Sequence, residues 1–219
     1  MDTTFPNSPK LLKGGIVLLD PDTSAVLRII QLQYNADSLS RTLQIKGMSD
    51  GGDRSEVLRL KGAPVETIKL DAEIDATDQL EFPDQNPDAT QYGIYPQLAA
   101  LEILTYPASS QLQTNLQYSQ SGKLEIIPME SPLTLFVWSK SRVLPVRLTD
   151  FSITEEAFDT SLNPIRAKVS LGMRVLTIDD VPSTHKAASL FMNYLQQKES
   201  LASKNASGTL NVLGIGGML

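Results

Sequence analysis

The chain has 219 residues, a formal net charge of −6 and an apolar fraction of 41 %, which suits one sizeable domain with a hydrophobic core. It has no cysteine and one histidine, which excludes disulfides, thiolate nucleophiles and metal sites built from cysteine or several histidines. The acidic balance argues against general nucleic-acid binding. The sequence has no secretory signal pattern and no apolar run of the roughly 18 residues that a membrane span needs, so we expect a soluble protein made in the cytoplasm.

The N-terminal part of the chain has the pattern of short strands joined by turns. Gly15–Asp20 and Val26–Tyr34 are rich in apolar residues and flank Pro21-Asp22-Thr23. This arrangement predicts a hairpin, because proline presets φ for a turn. Thr42–Ile45 predicts another short strand, and the Gly/Asp-rich segment Met48–Arg54 predicts a loop.

A long strand is predicted next, because polar and apolar residues alternate with a period of two from Thr67 to Ala76. This segment is roughly twice as long as an average strand of about 5–6 residues. Pro96 then begins a predicted helix that ends before Pro107, and we expect this helix to cover one face of the sheet. The Ser/Gln-rich segment Ala108–Lys123 predicts a long exposed loop.

The second half of the chain predicts further strands at Leu124–Ile127, Leu133–Trp138, Val143–Leu148 and Phe151–Ile153. Pro132 and Pro145 indicate edge or bulge positions, because proline cannot donate a hydrogen bond to a ladder. A second long alternating segment, Pro164–Val175, favours a barrel or an extended sheet over a doubly wound α/β core. The sequence therefore predicts a mainly β fold.

The C-terminal part predicts one amphipathic helix and a glycine-rich tail. Ser183 or Thr184 is a suitable N-cap. The apolar residues that follow recur at helical spacing, at Ala187, Leu190, Phe191, Tyr194 and Leu195. We therefore divide the chain into a main domain at residues 1–178 and a helical extension with a flexible tail at residues 179–219.

Two polar clusters have the composition, but not the spacing, of a catalytic or metal site. His185 lies near Asp179 and Asp180, but this spacing matches no metal-ligand pattern, and we expect the histidine to be solvated at the start of a helix. Glu155 and Glu156 are adjacent, so in a strand they point to opposite faces and form no local dyad. We expect them to belong to a charged rim or an interface.

Two glycine-rich segments do not match a phosphate-binding loop. The glycines of Ser49–Arg54 stand beside acidic residues, whereas a phosphate cradle needs free amides or a lysine. The tail glycines Gly214, Gly216 and Gly217 are not followed by Lys-Ser or Lys-Thr. We therefore predict no catalytic residue, no cofactor and no metal site, and a protein that is not an enzyme.

The two long alternating strands carry charges of opposite sign. Val65–Ala76 has four acidic residues and one lysine, a net charge of −3, and Pro164–Val175 has three basic residues, a net charge of +3. If they pair, within one chain or across a subunit boundary, these charges select register and partner more than they add stability. The alternative is an ordinary pair of solvated faces. The candidates for an interface or a lumen are Lys69, Asp71, Glu73, Asp75, Arg166, Lys168 and Arg174, together with the helix residues Leu190, Phe191 and Tyr194.

Four segments, taken together, resemble the N-terminal domain of the contractile injection system tube proteins. They are Pro9–Gln44, Leu58–Glu81, Tyr92–Pro107 and Pro132–Leu176, and they span residues 9–176 in chain order. The resemblance implies a phage tail-tube-like β-barrel with one packed helix. It also implies that long strands from six subunits join into a continuous inner barrel, with Val65–Ala76 and Pro164–Val175 as the lining strands.

The resemblance implies a structural role in a phage-tail-like contractile injection particle. The implied role is a tube initiator of the baseplate, a hexameric ring that joins the spike complex to the inner tube. The implied partners are further copies of the chain, the inner tube protein, the spike or hub protein and baseplate wedge or sheath subunits, without nucleic acid and without direct membrane insertion. The chain would be made in the cytoplasm and assembled into a particle that is released or membrane-anchored.

One departure from the family concerns the C-terminal part. Larger baseplate members carry a LysM module after the tube domain, and residues 179–219 have neither its length nor its strand-turn-helix pattern. We therefore expect the helix Ser183–Lys198 to dock its stripe of Leu190, Phe191 and Tyr194 on an adjacent subunit. The alternatives are another tube-like baseplate layer, a tube terminator or a stand-alone β-barrel glycan-binding module, for which the chain has only one tryptophan, Trp138.

Overall fold

The computed structural model describes residues 12–20, 23–47, 59–122, 131–205 and 208. Seven strands in these ranges form one antiparallel sheet in the order β2-β1-β5-β6-β7-β4-β3, so the fold is mainly β, as the sequence predicts. The strands are β1 Gly15–Leu19, β2 Val26–Gln31, β3 Leu39–Gln44, β4 Val65–Asp75, β5 Leu133–Ser139, β6 Arg142–Phe158 and β7 Pro164–Val175. The helices are α1 Thr77–Leu80, α2 Pro87–Tyr92, α3 Tyr95–Glu102, α4 Ser109–Gln120 and α5 Lys186–Ala202, with a 3₁₀ turn at Pro83–Gln85.

The sheet curls back on itself. Ile16 of β1 and Ile30 of β2 belong to the same buried cluster as Ile68 and Leu70 of β4, although three strands separate β1 from β4 in the sheet. A flat sheet would keep these side chains far apart, so the sheet is rolled around its own core. The apolar phase of the long strands supplies much of this core, and its buried members are Ile68, Leu70, Ile74, Val169, Leu171 and Met173.

β6 is one strand of 17 residues, whereas the sequence predicts two short strands, Val143–Leu148 and Phe151–Ile153. Its pairing with β7 is irregular between Leu148 and Asp150, and this irregularity shifts the phase of the alternation. The strand also includes Glu155 and Glu156, which lie opposite Ala167 and Arg166 respectively.

Pro145 lies in β6, which has a neighbouring strand on each side, so the expectation of an edge or bulge position is wrong for this proline. The Pro145 carbonyl accepts a hydrogen bond from the Leu176 N–H at 2.8 Å, one residue beyond the end of β7. The N and C=O of one residue in a strand point to the same side. An N–H group at Pro145 would therefore point toward β7, at the position where the ladder between β6 and β7 ends.

The helices agree in part with the sequence. α3 confirms the helix predicted from Pro96, but it ends at Glu102 and is followed by turns. α4 occupies most of the segment predicted as a loop. That prediction is wrong because the segment has no wide apolar stripe, and α4 accordingly buries no residue.

α5 packs on the body of the protein instead of extending away from it. Ala187 joins a second buried cluster with Leu19, Leu133 and Leu135, while Phe191 and Tyr194 join the main core. Leu190 is half-buried against the second cluster. The expectation that this stripe docks on an adjacent subunit is wrong, because Phe191 and Tyr194 are already covered by their own chain.

Some predicted segments lie outside the described residues. They are the strand Leu124–Ile127, the loop Met48–Arg54 with Ser49–Arg54 inside it, and the tail glycines Gly214, Gly216 and Gly217. Pro21 and Asp22 of the predicted hairpin turn also lie outside them. The hairpin itself is confirmed, because β1 and β2 pair antiparallel. No helix in the described part of the chain is long and apolar enough to span a bilayer.

Candidate assembly surface

β4 and β7 pair within the chain, so the acidic and basic strand faces lie side by side. Their register places Asp75 opposite Arg166 and Glu73 opposite Lys168. Residues directly opposite each other share a face of the sheet, and these residues alternate with the buried side chains of the main core. The surface on the outer side of β4, β7 and β6 is called the charged face below. It comprises Asp71, Glu73, Asp75, Ser152, Thr154, Glu156, Arg166, Lys168 and Ser170.

Ion pairs and hydrogen bonds connect the three strands of the charged face. Arg166 Nε lies 2.7 Å from Asp75 Oδ2 and 3.8 Å from Glu73 Oε1. On the other side of β7, Lys168 Nζ lies 3.0 Å from Glu156 Oε1. The Ser170 hydroxyl donates to the Asp71 carboxylate. Pairs this exposed add little stability individually, but together they favour the observed register over a slipped one.

Asp75 is the most constrained carboxylate of the charged face. Burial raises its pKa, but hydrogen bonds from the hydroxyl and main-chain N–H of Thr77, together with the Arg166 guanidinium, outweigh burial and hold the pKa below its usual range. The hydrogen bond to Asp75 in turn raises the pKa of Arg166. Both groups are therefore charged at neutral pH.

The outer side of these strands is balanced in charge. Lys69 and Arg174 lie on it, but Arg174 NH2 turns to Asp180 Oδ1 at 2.5 Å instead of to a residue of the charged face. On β6, β7 and β4 together, the outer side has five acidic and five basic residues. The acidic residues are Asp71, Glu73, Asp75, Asp150 and Glu156, and the basic residues are Lys69, Arg147, Arg166, Lys168 and Arg174. A surface that binds nucleic acid has a clear excess of positive charge instead.

The four strands β6, β7, β4 and β3 form a unit with an open edge on each side. The ladder between β5 and β6 ends at Val146, so residues 147–158 of β6 have only β7 as a described neighbour. β3 has only β4 as a described neighbour. Open strand edges present unpaired main-chain groups and are templates for pairing with another chain.

The hydrogen-bond pattern identifies the main-chain groups that point outward at each edge. The N–H and C=O of Asp75 face away from β7, because both bind the Gln33 side chain. The N–H and C=O groups alternate sides along a strand. Carried along β4 and across its register with β3, this alternation makes Leu39, Arg41 and Leu43 the outward residues of β3. At the other edge, the Leu176 N–H donates to the Pro145 carbonyl, so the main-chain groups of Leu176 point toward β6. Following this alternation along β7 and across its register with β6 shows that the outward residues of β6 are Phe151, Ile153 and Glu155.

Glu66, a buried carboxylate beside the β3 edge, was not predicted from the sequence as a site residue. Its side chain is only 4 % exposed and binds Arg41 of β3 and Lys198 of α5. A signal was present in the sequence, because Glu66 occupies the apolar phase of β4, in step with Ile68 and Leu70. A carboxylate in a buried phase needs charged or hydrogen-bonding partners.

The residues of the suspected acid-base cluster have separate structural roles. His185 is the N-cap of α5, and its Nδ1 accepts a hydrogen bond from the Ala187 N–H at 3.1 Å. Asp179 pairs with Lys46 at 2.9 Å, and Asp180 binds Arg174 and Thr177. Among the described residues, no group of three or more histidine, aspartate or glutamate side chains is arranged to hold a metal ion.

Comparison with solved structures finds weak structural likeness, for example to a tail particle. A chain described as "Tail of empty GTA particle computed with helical refinement, C6 symmetry" is similar with a TM-score of 0.28 and 12 % identity. The match covers 74 % of this chain and 90 % of the other. No family model matches the chain, and no curated protein is significantly similar to it. A TM-score this low does not establish a shared fold.

Proposed function

We propose that this chain is a ring-forming structural subunit of a phage-tail-like contractile injection particle, and that it acts there as a tube initiator of the baseplate. The sequence resemblance to the contractile injection system tube proteins suggests this role. The observation that carries the proposal is the four-stranded unit β6-β7-β4-β3, with its two open edges and its hydrophilic outer face. The proposal gives the chain a structural role and no catalytic one.

The directions of the strands suit closure into a ring. Successive neighbours in the unit are antiparallel, so β3 runs opposite to β6. When β3 of one copy adds to β6 of the next, the new pair is therefore antiparallel too, as are all pairs around the ring. An interface between two different edges uses each edge once and leaves none open when the ring closes. An odd number of strands per copy would force a parallel pair at every junction.

The position of the core determines which face would line the lumen. The main core, α3 and α5 lie on the apolar side of β4 and β7, whereas the charged face is covered by no described element. In a ring, the bulkier side of each subunit fits the longer outer circumference. The charged face therefore faces the central hole, and its balanced charges would give a wet lining without a strong field of either sign.

The layer of the particle follows from the resemblance. A tube initiator contacts the spike or hub on one side and the inner tube protein on the other, and it neighbours baseplate wedge or sheath subunits. The chain is assembled after synthesis in the cytoplasm, and it acts without nucleic acid and without direct membrane insertion.

Mass measurement and imaging test the proposal. The purified full chain should form particles of six times the 23.9 kDa chain mass, seen by native mass spectrometry, and negative-stain images should show rings with a central hole. Because the chain lacks cysteine, a Ser152→Cys variant has one labelling site in the charged face. Gold bound there should appear inside the hole of the ring, whereas gold on a Ser189→Cys variant, at an exposed position of α5 on the opposite side of the sheet, should appear outside it.

The identity of the layer needs the native particle. Density for a tag on this chain at the junction of spike and tube would support the tube initiator. Density along the whole tube, or at its far end, would indicate an ordinary tube subunit or a terminator. A chain that stays monomeric at high concentration, and that occurs as a single copy in its particle, would refute the ring.

A further inference from the structure

The buried carboxylate of Glu66 connects the edge strand β3 to the C-terminal helix α5. Arg41 of β3 reaches Glu66 Oε1 through Nε at 2.7 Å and through NH2 at 2.6 Å. From α5, Lys198 Nζ donates to Glu66 Oε2 at 3.1 Å, and the Tyr194 hydroxyl lies 3.4 Å from Oε1. The Arg41 NH2 also donates to the Tyr194 hydroxyl at 2.9 Å. These four residues are called the Glu66 cluster below.

Apart from its ladder with β4, β3 has few contacts that hold it in place. Only Leu39 and Arg41 of its six residues are partly buried, and the other four are exposed. β3 has one described neighbour, β4, and its opposite edge is open. A strand with so little burial is expected to open locally more easily than the centre of the sheet. The Glu66 cluster is therefore the main side-chain anchor of β3.

The α5 side of the cluster is firmly placed. Tyr194 is 4 % exposed and belongs to the main core. Lys198 Nζ lies 4.2 Å from the centroid of the Tyr194 ring, so a cation–π contact adds to its ion pair. Removing the Lys198 ammonium group or the Tyr194 hydroxyl would leave the buried carboxylate of Glu66 incompletely paired, which is strongly unfavourable.

We propose that Glu66, through Tyr194 and Lys198 of α5, is a positioning residue for the β3 edge. α5 fixes the register and the order of the strand to which the next copy adds, although it does not contact that copy through the Glu66 cluster. This inference rests on the proposed function, in which β3 is an assembly edge. It gives the C-terminal helix a role inside its own subunit.

Hydrogen exchange in a monomeric background tests the proposal independently of ring formation. A Glu155→Pro substitution on β6 removes an outward N–H from the opposite edge and leaves β3 unchanged, so the full chain stays monomeric whether or not wild type forms rings. In this background, Lys198→Met and Tyr194→Phe should each speed exchange of the inward amides of Ser40, Thr42 and Gln44 at least about tenfold. Amides of β7 should change less than about threefold.

Matched variants separate positioning from a general loss of stability. Lys186→Met removes an exposed lysine from the first turn of α5 and should leave β3 exchange unchanged. Arg41→Lys keeps the positive charge and should restore part of the protection that Arg41→Met loses. Equal acceleration of β3 and β7, or unchanged β3 exchange in both α5 variants, would overturn the proposal. If Lys198→Met does not fold, Tyr194→Phe alone decides, because it removes only one hydroxyl.

Assembly measurements then connect the inference to the ring. With Glu155 intact, the same α5 variants should raise the concentration needed for ring formation about tenfold, while Lys186→Met should not. If wild type forms no rings and occurs as a single copy in its particle, the proposed function fails, but the exchange result still decides whether α5 positions β3. If rings of the α5 variants form at the wild-type concentration despite a mobile β3, the positioning role is refuted and the proposed function stands.

Discussion

The side-chain amide of Gln33 binds the main chain of Asp75 as a neighbouring strand would. Its Nε2 donates to the Asp75 carbonyl at 2.6 Å, and its Oε1 accepts from the Asp75 N–H at 2.9 Å. The β3 ladder ends at Leu70, so Gln33 satisfies main-chain groups that β4 would otherwise leave open. The two bonds join the chain just after β2 to the end of β4, beside a cavity of about 360 Å³ between β2, β4 and α3.

Replacing Gln33 should therefore open the rolled sheet at this point. Gln33→Ala is expected to lower the free energy of unfolding by about 1–3 kcal/mol, because two partly buried main-chain groups lose their partners. Gln33→Glu should cost at least as much, since a carboxylate cannot donate to the Asp75 carbonyl and repels the Asp75 side chain. Urea denaturation measures both effects. Gln31→Ala, at an exposed position of β2, is the control and should stay within about 0.5 kcal/mol of wild type.

The long strands could be predicted from the sequence because polar and apolar residues alternate without interruption over residues 67–76 and 165–175. In β4 and β7 every second residue is buried, so a local pattern determines the face of each side chain. β6 was predicted in two pieces because the irregularity after Leu148 shifts its phase. α4 was missed for a related reason, since Ser and Gln give no apolar period and are also common in loops.

The contacts that decide the shape of the candidate surface have no local sequence signal. Gln33 and Asp75 are 42 residues apart, and Arg41 and Tyr194 are 153 residues apart. The first contact depends on the roll of the sheet and the second on the packing of α5, and a pattern of period two specifies neither. The opposite charges of β4 and β7 predicted attraction between them, but they left open whether the two strands pair within a chain or between chains.

Acid should weaken the protein in part through Asp75. Its pKa is held below the usual range in the folded state, so the native state binds fewer protons than the unfolded state as the pH falls. The stability from this group is complete above the ordinary aspartate pKa of about 3.9. It is lost as the pH falls from there through the lower folded pKa. Asp75→Asn should therefore flatten the acid limb of a plot of unfolding free energy against pH.

The control for this experiment is Asp78→Asn, which leaves Thr77 and Arg166 in contact with Asp75. Urea midpoints measured between about pH 6 and pH 2 should follow wild type for this variant. If Asp75→Asn loses stability in acid as steeply as wild type does, other carboxylates account for the acid sensitivity.

Gly93 is required at the junction of α2 and α3 for two reasons. Its φ is +60°, and a Cβ atom there would lie 2.2 Å from the carbonyl oxygen of Pro164, which accepts the Ile94 N–H. Gly122 has a φ of +76° but no atom within 4 Å of its Cβ position. Gly122→Ala should cost about 1 kcal/mol of backbone strain, and Gly93→Ala should cost at least about 2 kcal/mol more. Equal unfolding midpoints for the two variants would contradict the contact with Pro164.

His185 should contribute to stability as a helix cap. Its Nδ1 accepts from the Ala187 N–H, so His185→Ala is expected to cost about 0.5–2 kcal/mol, and His185→Asn should recover most of that loss. Thr184→Ala tests one of the two N-caps that the sequence suggested, and it should have little effect because Thr184 lies outside the cap. Thermal unfolding of the three variants distinguishes the two residues. A larger loss for Thr184→Ala would mean that α5 begins one residue earlier.

The β3 edge gives the most direct test of ring assembly. The N–H of Leu43 points outward, so Leu43→Pro removes a donor that the next copy would use and breaks no bond to β4. The variant should unfold within about 1 kcal/mol of wild type yet remain monomeric in native mass spectrometry. Leu43→Thr changes the same side chain but keeps the N–H, so it should still form rings, at a somewhat higher protein concentration because it loses apolar contact. If Leu43→Pro forms rings as readily as Leu43→Thr, then β3 is not the edge at which copies join, and the other open edge must pair with a different strand.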